Sequence, residues 1–299
     1  MKSDPALVMT VIAGPGAEAQ LAGCAAAIAE ALALPAAPDW LAAGRACDLS
    51  LRGSDAASAE TAARLVIGGA AIDALVQPVM GRRKRVFVAD LEATMIENEM
   101  LDELADFVGR RAQVSEITRR AMNGEIDFAS ALVERVALLR GLPQSALDEA
   151  ARRIRPMPGA HALLATLRAA GVRTALVTGG FTVFAEPVAA ELGFDEVIAN
   201  RLDLAEGLIA GTITAPIVER EAKRDALVAL ARQAGVSLAA TLAVGDGAND
   251  LPMLEAAGLG VAFRAKPAVA ALSRWRVDHA DLTALLYAQG YRQAEIIAV

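Results

Sequence analysis

The sequence predicts an α/β protein with a doubly wound, mostly parallel sheet, a helical cap insert and a small N-terminal α/β domain. Residues 86–88 are apolar without alternation, as expected for a central parallel strand that is covered on both faces. From residue 158 onward, strand patterns and helix patterns alternate, which indicates parallel strands joined by helices. An almost purely helical stretch between these regions predicts the insert. A chain of 299 residues is long enough for a main domain and at least one accessory unit.

The N-terminal domain is expected over residues 1–80. Its strands are predicted at residues 7–13, 47–52 and 72–77, and its helices at about 17–34 and from about 56. It contains no cluster of Asp, His or Lys that would suggest chemistry, so we expect a packing or regulatory module. Residues 81–85 carry four adjacent positive charges and are predicted to form a solvated linker.

The core is predicted over residues 86–97 and 156–299, and the cap over residues 98–155. Gly and Pro at positions 141–143 and 156–159 divide the cap and end it. After it we predict a helix to residue 170, a strand at 173–177, a hairpin at 197–214, a helix that carries Lys223, strands at 242–244, 260–263 and 277–280, and a helix at 282–289.

Composition and charge weaken several classes of function. The 29 Lys and Arg residues face 36 Asp and Glu, a net charge of -7, and no basic tract or aromatic ladder predicts a nucleic acid partner. No apolar segment is long enough to predict a membrane span. Cys24 and Cys47 are predicted to be reduced thiols of a cytoplasmic protein. With only His161 and His279, serine-type triads and histidine-rich zinc sites lack their parts.

Carboxylates follow two of the predicted strands. Asp90 and Glu92 come directly after residues 86–88, and Asp246 and Asp250 follow residues 242–244. The carboxyl ends of parallel strands share one edge of a sheet, where crowded negative charges require a cation such as Mg²⁺. Asp90 is therefore a candidate nucleophile or metal ligand, although a single Asp in this position could also just cap a helix.

A hydroxyl, two glycines and a lysine complete a candidate phosphate site. Thr178 and the amides of Gly179 and Gly180 lie at the predicted start of a helix, and Lys223 adds positive charge. An aspartate beside such a group can accept a phosphoryl group.

At these residues the chain resembles the haloacid dehalogenase superfamily, and within it the phosphoserine phosphatases, over residues 86–285. Four motifs match in order: residues 90–94, Thr178 before Gly-Gly-Phe, Lys223, and residues 245–250 followed by Met253. The resemblance implies a Mg²⁺-dependent hydrolysis of O-phosphoserine to L-serine and phosphate through an aspartyl phosphate, the last step of serine biosynthesis.

The resemblance also implies roles for individual residues. Asp90 would be the nucleophile and Glu92 the acid and base. Mg²⁺ would be held by the side chains of Asp90 and Asp246 and the backbone carbonyl of Glu92, with Asp250 supporting it from outside the ligand set. The substrate would be bound by Thr178, Gly179, Lys223 and Asn249, and in the cap by Glu99 (ammonium), Arg135 (carboxylate), Met122 and Phe128. Taken singly, Met122 and Phe128 would more often be plain core, and Glu99 and Arg135 would more often belong to a solvated face; their joint occurrence favours function.

Glu92 departs from the family, which normally has an aspartate there. A misplacement of about 1 Å can cost on the order of a hundredfold in rate. A catalytically weakened amino-acid-binding regulatory protein therefore stays open as an alternative. A phosphatase for another small phosphorylated metabolite also stays open, because one sequence does not fix the size of the pocket. The chain is expected to be a monomer or a homodimer.

Overall fold

The structure, a computed structural model, describes residues 6–34, 37–51, 55–122 and 125–298. The N-terminal domain forms a four-stranded sheet with the strand order β2-β3-β1-β4, in which neighbouring strands are antiparallel. Its elements are β1 (Leu7–Ala13), α1 (Glu18–Ala31), β2 (Asp39–Ala42), β3 (Ala46–Leu51), α2 (Ala56–Ile67) and β4 (Ile72–Pro78).

The two faces of this sheet differ because successive side chains alternate along a strand. Met9, Val11 and Leu49 are buried in one cluster with residues of α1 and α2. On the opposite face, Ile12 and Leu75 join the main core of the protein. The N-terminal domain is therefore packed on both faces.

A seven-stranded sheet forms the core, with the order β11-β10-β9-β5-β6-β7-β8. All its neighbouring strands are parallel except the hairpin of β7 and β8. Its strands are β5 (Val86–Ala89), β6 (Arg173–Phe181), β7 (Glu196–Ala205), β8 (Leu208–Thr214), β9 (Thr241–Gly245), β10 (Leu259–Phe263) and β11 (Trp275–Val277). The predicted fold class is confirmed, and β5 is the buried central strand.

Helices cover both faces of this sheet. The cap consists of α3 (Met100–Phe107), α4 (Arg111–Met122), α5 (Phe128–Ala137) and α6 (Gln144–Ala151). The core helices are α7 (Ala160–Ala169), α8 (Thr182–Leu192), α9 (Arg220–Gln233), α10 (Leu251–Ala256), α11 (Pro267–Leu272) and α12 (Ala284–Ala288). None of the helices in the described part of the chain combines the length and the apolar character that a bilayer span requires.

Two backbone connections tie the cap to the core, and they are hydrogen-bonded to each other. Glu97 N donates to Arg155 O at 2.9 Å, and Met157 N donates to Met95 O at 2.9 Å. The cap thus begins directly after the turn that contains Asp90 and Glu92, and its position is tied to that turn.

Three local predictions were wrong. The short strand β2 was missed. β6 continues to Phe181, beyond the predicted end at residue 177, because residues 178–181 stay extended and Phe181 pairs with Asn200 of β7. The strand predicted at 277–280 instead ends at Val277. The amides of the next three residues are bound by the side chain of Asp73.

The linker prediction was wrong for Arg82 and Lys84. Arg82 Nη1 contacts Asp48 Oδ2 at 2.6 Å, and its Nε donates to Ala288 O at 3.2 Å. Lys84 is buried and its Nζ donates to Ala239 O at 2.8 Å. Arg82 therefore joins the N-terminal domain to the core, and Lys84 fixes the linker to the core, instead of facing solvent.

Candidate active site

The three predicted aspartates lie together at the carboxyl edge of the central strands. Asp90 follows β5, Asp246 follows β9, and Asp250 precedes α10. All three are buried, and one carboxylate oxygen from each lies within 4.8 Å of the others. Carboxylate oxygens are the ligands that divalent hard cations prefer, so the chemistry of this donor set fits such an ion.

Lys223 joins two of these carboxylates. Its Nζ donates to Asp90 Oδ1 and to Asp250 Oδ1, both at 2.6 Å, and its side chain is 1% exposed. Burial works to lower the pKa of Lys223, but the charges of Asp250 and Asp90 hold that pKa above its usual range. Lys223 therefore stays charged and fixes the orientation of Asp90.

The carboxylates are crowded enough to hold protons more tightly than isolated groups. Burial raises the pKa of Asp246 to about 6, and the charge of Asp90 adds to the shift. Burial also raises the pKa of Asp250 to about 7, with Lys223 opposing the shift. A positive charge at this place would relieve the repulsion, as expected of a site that binds a cation and a phosphate.

The end of β6 offers small groups next to these carboxylates. Thr178 is buried, and its Oγ1 accepts a hydrogen bond from Gly180 N at 2.9 Å. A Cβ at position 179 would lie 2.8 Å from Phe128 Cζ, and a Cβ at position 180 would lie 3.3 Å from Glu92 Oε2. A side chain at position 179 would therefore force Phe128 of the cap to shift, and one at position 180 would press on Glu92.

The turn after β9 is held by Asp250. Its Oδ2 accepts a hydrogen bond from Gly247 N at 2.9 Å, and Asp250 N donates to Gly247 O at 3.0 Å. Asn249 is half-buried in this turn, and its Oδ1 would lie 2.3 Å from a Cβ at position 247. On the other side, Thr94 Oγ1 donates to Asp246 Oδ1 at 3.4 Å.

Glu92 reaches from the turn after β5 to the cap. Its Oε1 accepts a hydrogen bond from Met100 N, the first residue of α3, at 2.8 Å. The residue keeps some exposure, but its carboxyl group is enclosed, and this burial raises its pKa to about 8, with Glu99 and Asp90 adding to the shift. Burial and the neighbouring carboxylates therefore favour the protonated form of this carboxyl group, which is the form a general acid needs.

Glu99 and Arg135 bring opposite charges to the neighbourhood of Glu92. Glu99 precedes α3, and Arg135 lies on α5 with its Nε donating to Ala131 O at 3.2 Å. Desolvation lowers the pKa of Arg135, and the charges of Glu92 and Glu99 oppose that shift. The charge of Glu99 in turn helps to raise the pKa of Glu92, and the charge of Arg135 opposes that shift.

Of the two apolar cap residues predicted to line the pocket, the structure describes the side chain of Phe128 but not that of Met122. Phe128, the first residue of α5, is partly buried, packs against the main core and contacts Gly179. Met122 is the last residue of α4, and its side chain lies outside the described residues.

Lys266 was missed by the sequence reasoning. Its Nζ lies 3.6 Å from Asp246 Oδ2 and 4.0 Å from Glu99 Oε1, and its backbone N donates to Asp246 O at 3.3 Å. A usable signal existed, because β10 neighbours β9 in the parallel sheet and Lys266 follows β10 at the same edge.

Comparisons with known proteins agree on one family. The family model of haloacid dehalogenase-like hydrolases matches residues 87–255. Phosphoserine phosphatase SerB2 of Mycobacterium tuberculosis is 44% identical over 217 residues, which are 73% of this chain and 53% of that protein. The phosphoserine phosphatase of Lactococcus lactis is 42% identical over 203 residues, which are 68% of this chain and 94% of that protein. The chain thus spans about half of the first relative and nearly all of the second.

Solved structures extend the likeness to the whole chain. A haloacid dehalogenase family hydrolase from Salmonella enterica serovar Typhi has a TM-score of 0.84 and 27% identity, covering 94% of this chain and 97% of that one. A phosphoserine phosphatase solved as a phospho-aspartyl intermediate analogue has a TM-score of 0.65 and 35% identity, covering 69% of this chain and 98% of that one.

Proposed function

Since this chain belongs to the haloacid dehalogenase-like hydrolases, we propose that it is a Mg²⁺-dependent phosphoserine phosphatase that releases L-serine and phosphate. The observation that carries the proposal is the buried contact of Lys223 with Asp90, at 2.6 Å, beneath a cap that presents Glu99 and Arg135. Lys223 and Asp90 fit a phosphoryl group, and Glu99 and Arg135 fit the ammonium and carboxylate of an amino acid. The likeness to relatives named phosphoserine phosphatase supports the same substrate.

The chain's own residues divide the reaction into two steps. A carboxylate oxygen of Asp90, oriented by Lys223, attacks phosphorus while the bond from phosphorus to the serine oxygen breaks. Glu92 gives its proton to that oxygen as serine leaves. In the second step Glu92 takes a proton from water, which attacks the phosphoaspartate and restores Asp90. The Thr178 hydroxyl and the amide of Gly179 hold the phosphoryl oxygens.

Mg²⁺ would be held by the side chains of Asp90 and Asp246 and the backbone carbonyl of Glu92, with Asp250 supporting these ligands. Its chemistry there is to neutralise charge on the phosphoryl oxygens. The burial and crowding of the carboxylates support a cation in this place, because they raise the pKa values of these groups, as for Asp246 with a pKa of about 6. The ligand set stays a prediction.

The substrate residues are proposed in the same way. Glu99 would bind the ammonium and Arg135 the carboxylate, while Asn249 adds a polar contact at the phosphoryl side. Phe128 would close the pocket over Gly179, which it already contacts. Met122 remains a proposal from the sequence alone.

We propose that the chain divides into three parts: an N-terminal domain over residues 1–80, a core over 86–97 and 156–299, and a cap over 98–155. Serine biosynthesis would place the enzyme in the cytoplasm, which agrees with the two free thiols, Cys24 and Cys47. The enzyme would act as a monomer or a homodimer.

The test is phosphate release from O-phosphoserine by the purified chain, with Mg²⁺ and with a chelator in its place. We expect turnover only with the metal, and a preference over O-phosphothreonine and p-nitrophenyl phosphate. Hydrolysis of another phosphorylated metabolite at a far higher kcat/KM would replace the substrate. Binding of phosphoserine without turnover would instead indicate a weakened, regulatory relative.

A further inference from the structure

The two sheets of the protein meet edge to edge. β4 of the N-terminal domain lies beside β11, the last strand of the core sheet, and Trp275 Nε1 donates to Val76 O at 2.7 Å. Each sheet thereby covers an edge of the other that would otherwise expose backbone groups.

Asp73 is the main polar anchor of this junction. It is 5% exposed, and its carboxylate accepts hydrogen bonds from three successive backbone amides of the core. Asp278 N donates to Oδ1 at 2.8 Å, Ala280 N donates to Oδ2 at 2.8 Å, and His279 N donates to Oδ2 at 3.2 Å. Hydrogen bonds from amides to a carboxylate are stronger than neutral ones, so Asp73 fixes the path of residues 278–280.

Residues 277–280 in turn hold Arg264. Arg264 N donates to Val277 O at 2.8 Å, and its Nη2 donates to Ala280 O at 3.2 Å. Arg264 has a φ of 43°, in the left-handed region that a residue with a side chain rarely adopts. Such a conformation persists only where its surroundings hold it, and here the segment fixed by Asp73 does so.

Two residues after Arg264, the chain delivers Lys266 to the site. Lys266 binds Asp246 through its backbone, and its ammonium lies between Asp246 Oδ2, at 3.6 Å, and Glu99 Oε1, at 4.0 Å. Its contact with Asp246 lies within the core, whereas its contact with Glu99 reaches from the core to the cap. The position of Lys266 therefore affects how Glu99 is held.

We propose that Asp73 is a positioning residue through which the N-terminal domain sets Lys266 beside Asp246 and Glu99. The structural part of this inference stands on the hydrogen bonds alone. Its functional part rests on the proposed phosphoserine phosphatase activity, in which Glu99 binds the substrate ammonium. Loosening Lys266 is then expected to weaken substrate binding more than the phosphoryl chemistry at Asp90.

The test is Asp73→Asn, which keeps the shape of the side chain but replaces one of the two accepting oxygens by an amide group. Hydrogen exchange of peptides covering residues 259–272, read by mass spectrometry, should become about tenfold faster. KM for O-phosphoserine should rise about fivefold while kcat stays within about twofold. Asp55→Asn is the matched control, because Asp55 caps α2 in the same domain by accepting a hydrogen bond from Ser58 N at 2.9 Å, whereas the amides of residues 278–280 donate to Asp73.

Arg264→Met provides a second variant, because it removes the bond to Ala280 O without altering the N-terminal domain. It should speed exchange at residues 259–272 and leave residues 6–34 unchanged. Unchanged exchange at 259–272 in Asp73→Asn, or an equal rise in Asp55→Asn, would overturn the coupling. Faster exchange with an unchanged KM would overturn the role in substrate binding. A parent chain without phosphoserine hydrolysis would defeat the proposed function, while the exchange data would still decide the coupling.

Discussion

Substitutions of Glu92 distinguish an adapted active site from a damaged one. Glu92 Oε1 receives the Met100 amide at 2.8 Å, and Oε2 points toward Gly180 at the end of β6. The longer side chain therefore reaches from the end of β6 to the cap. If this is the working geometry, Glu92→Asp is expected to lower turnover of O-phosphoserine.

The magnitude follows from the length of the side chain. Removing one methylene withdraws the carboxyl by about 1.5 Å, the length of one C–C bond. A displacement of that size costs about a hundredfold in rate, or about 2.7 kcal/mol in activation free energy. Glu92→Gln cannot exchange a proton and should lose about a hundredfold to ten-thousandfold.

The assay is steady-state phosphate release together with a rapid-mixing measurement of the first turnover, at saturating Mg²⁺. Because Glu92 serves both steps of the proposed mechanism, Glu92→Gln should slow the release of serine in the first turnover as well as the hydrolysis of the phosphoenzyme. Thermal unfolding of each variant controls for a loss of folded protein. A large rate increase in Glu92→Asp, with Glu92→Gln as active as the parent, would refute the reasoning and favour a weakened relative.

Three further outcomes are expected. Asp90→Asn should stay folded by circular dichroism but release no phosphate; near-normal turnover would contradict its role as nucleophile. Glu99→Ala and Arg135→Ala should each raise KM for O-phosphoserine about tenfold, the loss expected for one hydrogen bond to a charged group, and leave p-nitrophenyl phosphate within about twofold. An equal loss on both substrates would show that the cap does not bind the amino acid. Arg82→Met should lower the free energy of unfolding in urea by about 3 kcal/mol, because Asp48 stays largely buried without its partner, whereas Arg83→Met, at an exposed pair, should cost under about 1 kcal/mol. Similar losses in the two arginine variants would argue against the junction.

Local patterns predicted the parts of the fold that depend on neighbouring residues. The strand at Val86–Ala89, the hairpin of β7 and β8 and the helix that carries Lys223 each follow from a short stretch of sequence, and each is found. The meeting of Asp90 and Asp246 at one edge follows from the parallel order of the strands.

What the sequence could not predict depends on pairs of residues far apart in the chain. The sequence predicted a solvated cation at Arg82 because its partners are distant in the chain: Asp48 lies 34 residues away on β3, and Ala288 lies 206 residues away. The end of β11 was misplaced for the same reason, since Asp73 takes the amides that a longer strand would have used. In both cases tertiary contacts override the local pattern.

The longer acid at position 92 also changes how chemistry depends on the cap. Met100 belongs to the cap, and its amide is the hydrogen-bond donor that orients Glu92. Without this bond, the flexible side chain of a glutamate would populate several rotamers, few of them suited to proton transfer. An aspartate has fewer rotatable bonds and depends less on such support. Under the proposed mechanism, proton transfer to the leaving oxygen is therefore coupled to the position of the same cap that carries Glu99 and Arg135, and a substrate that seats the cap properly would also align the acid.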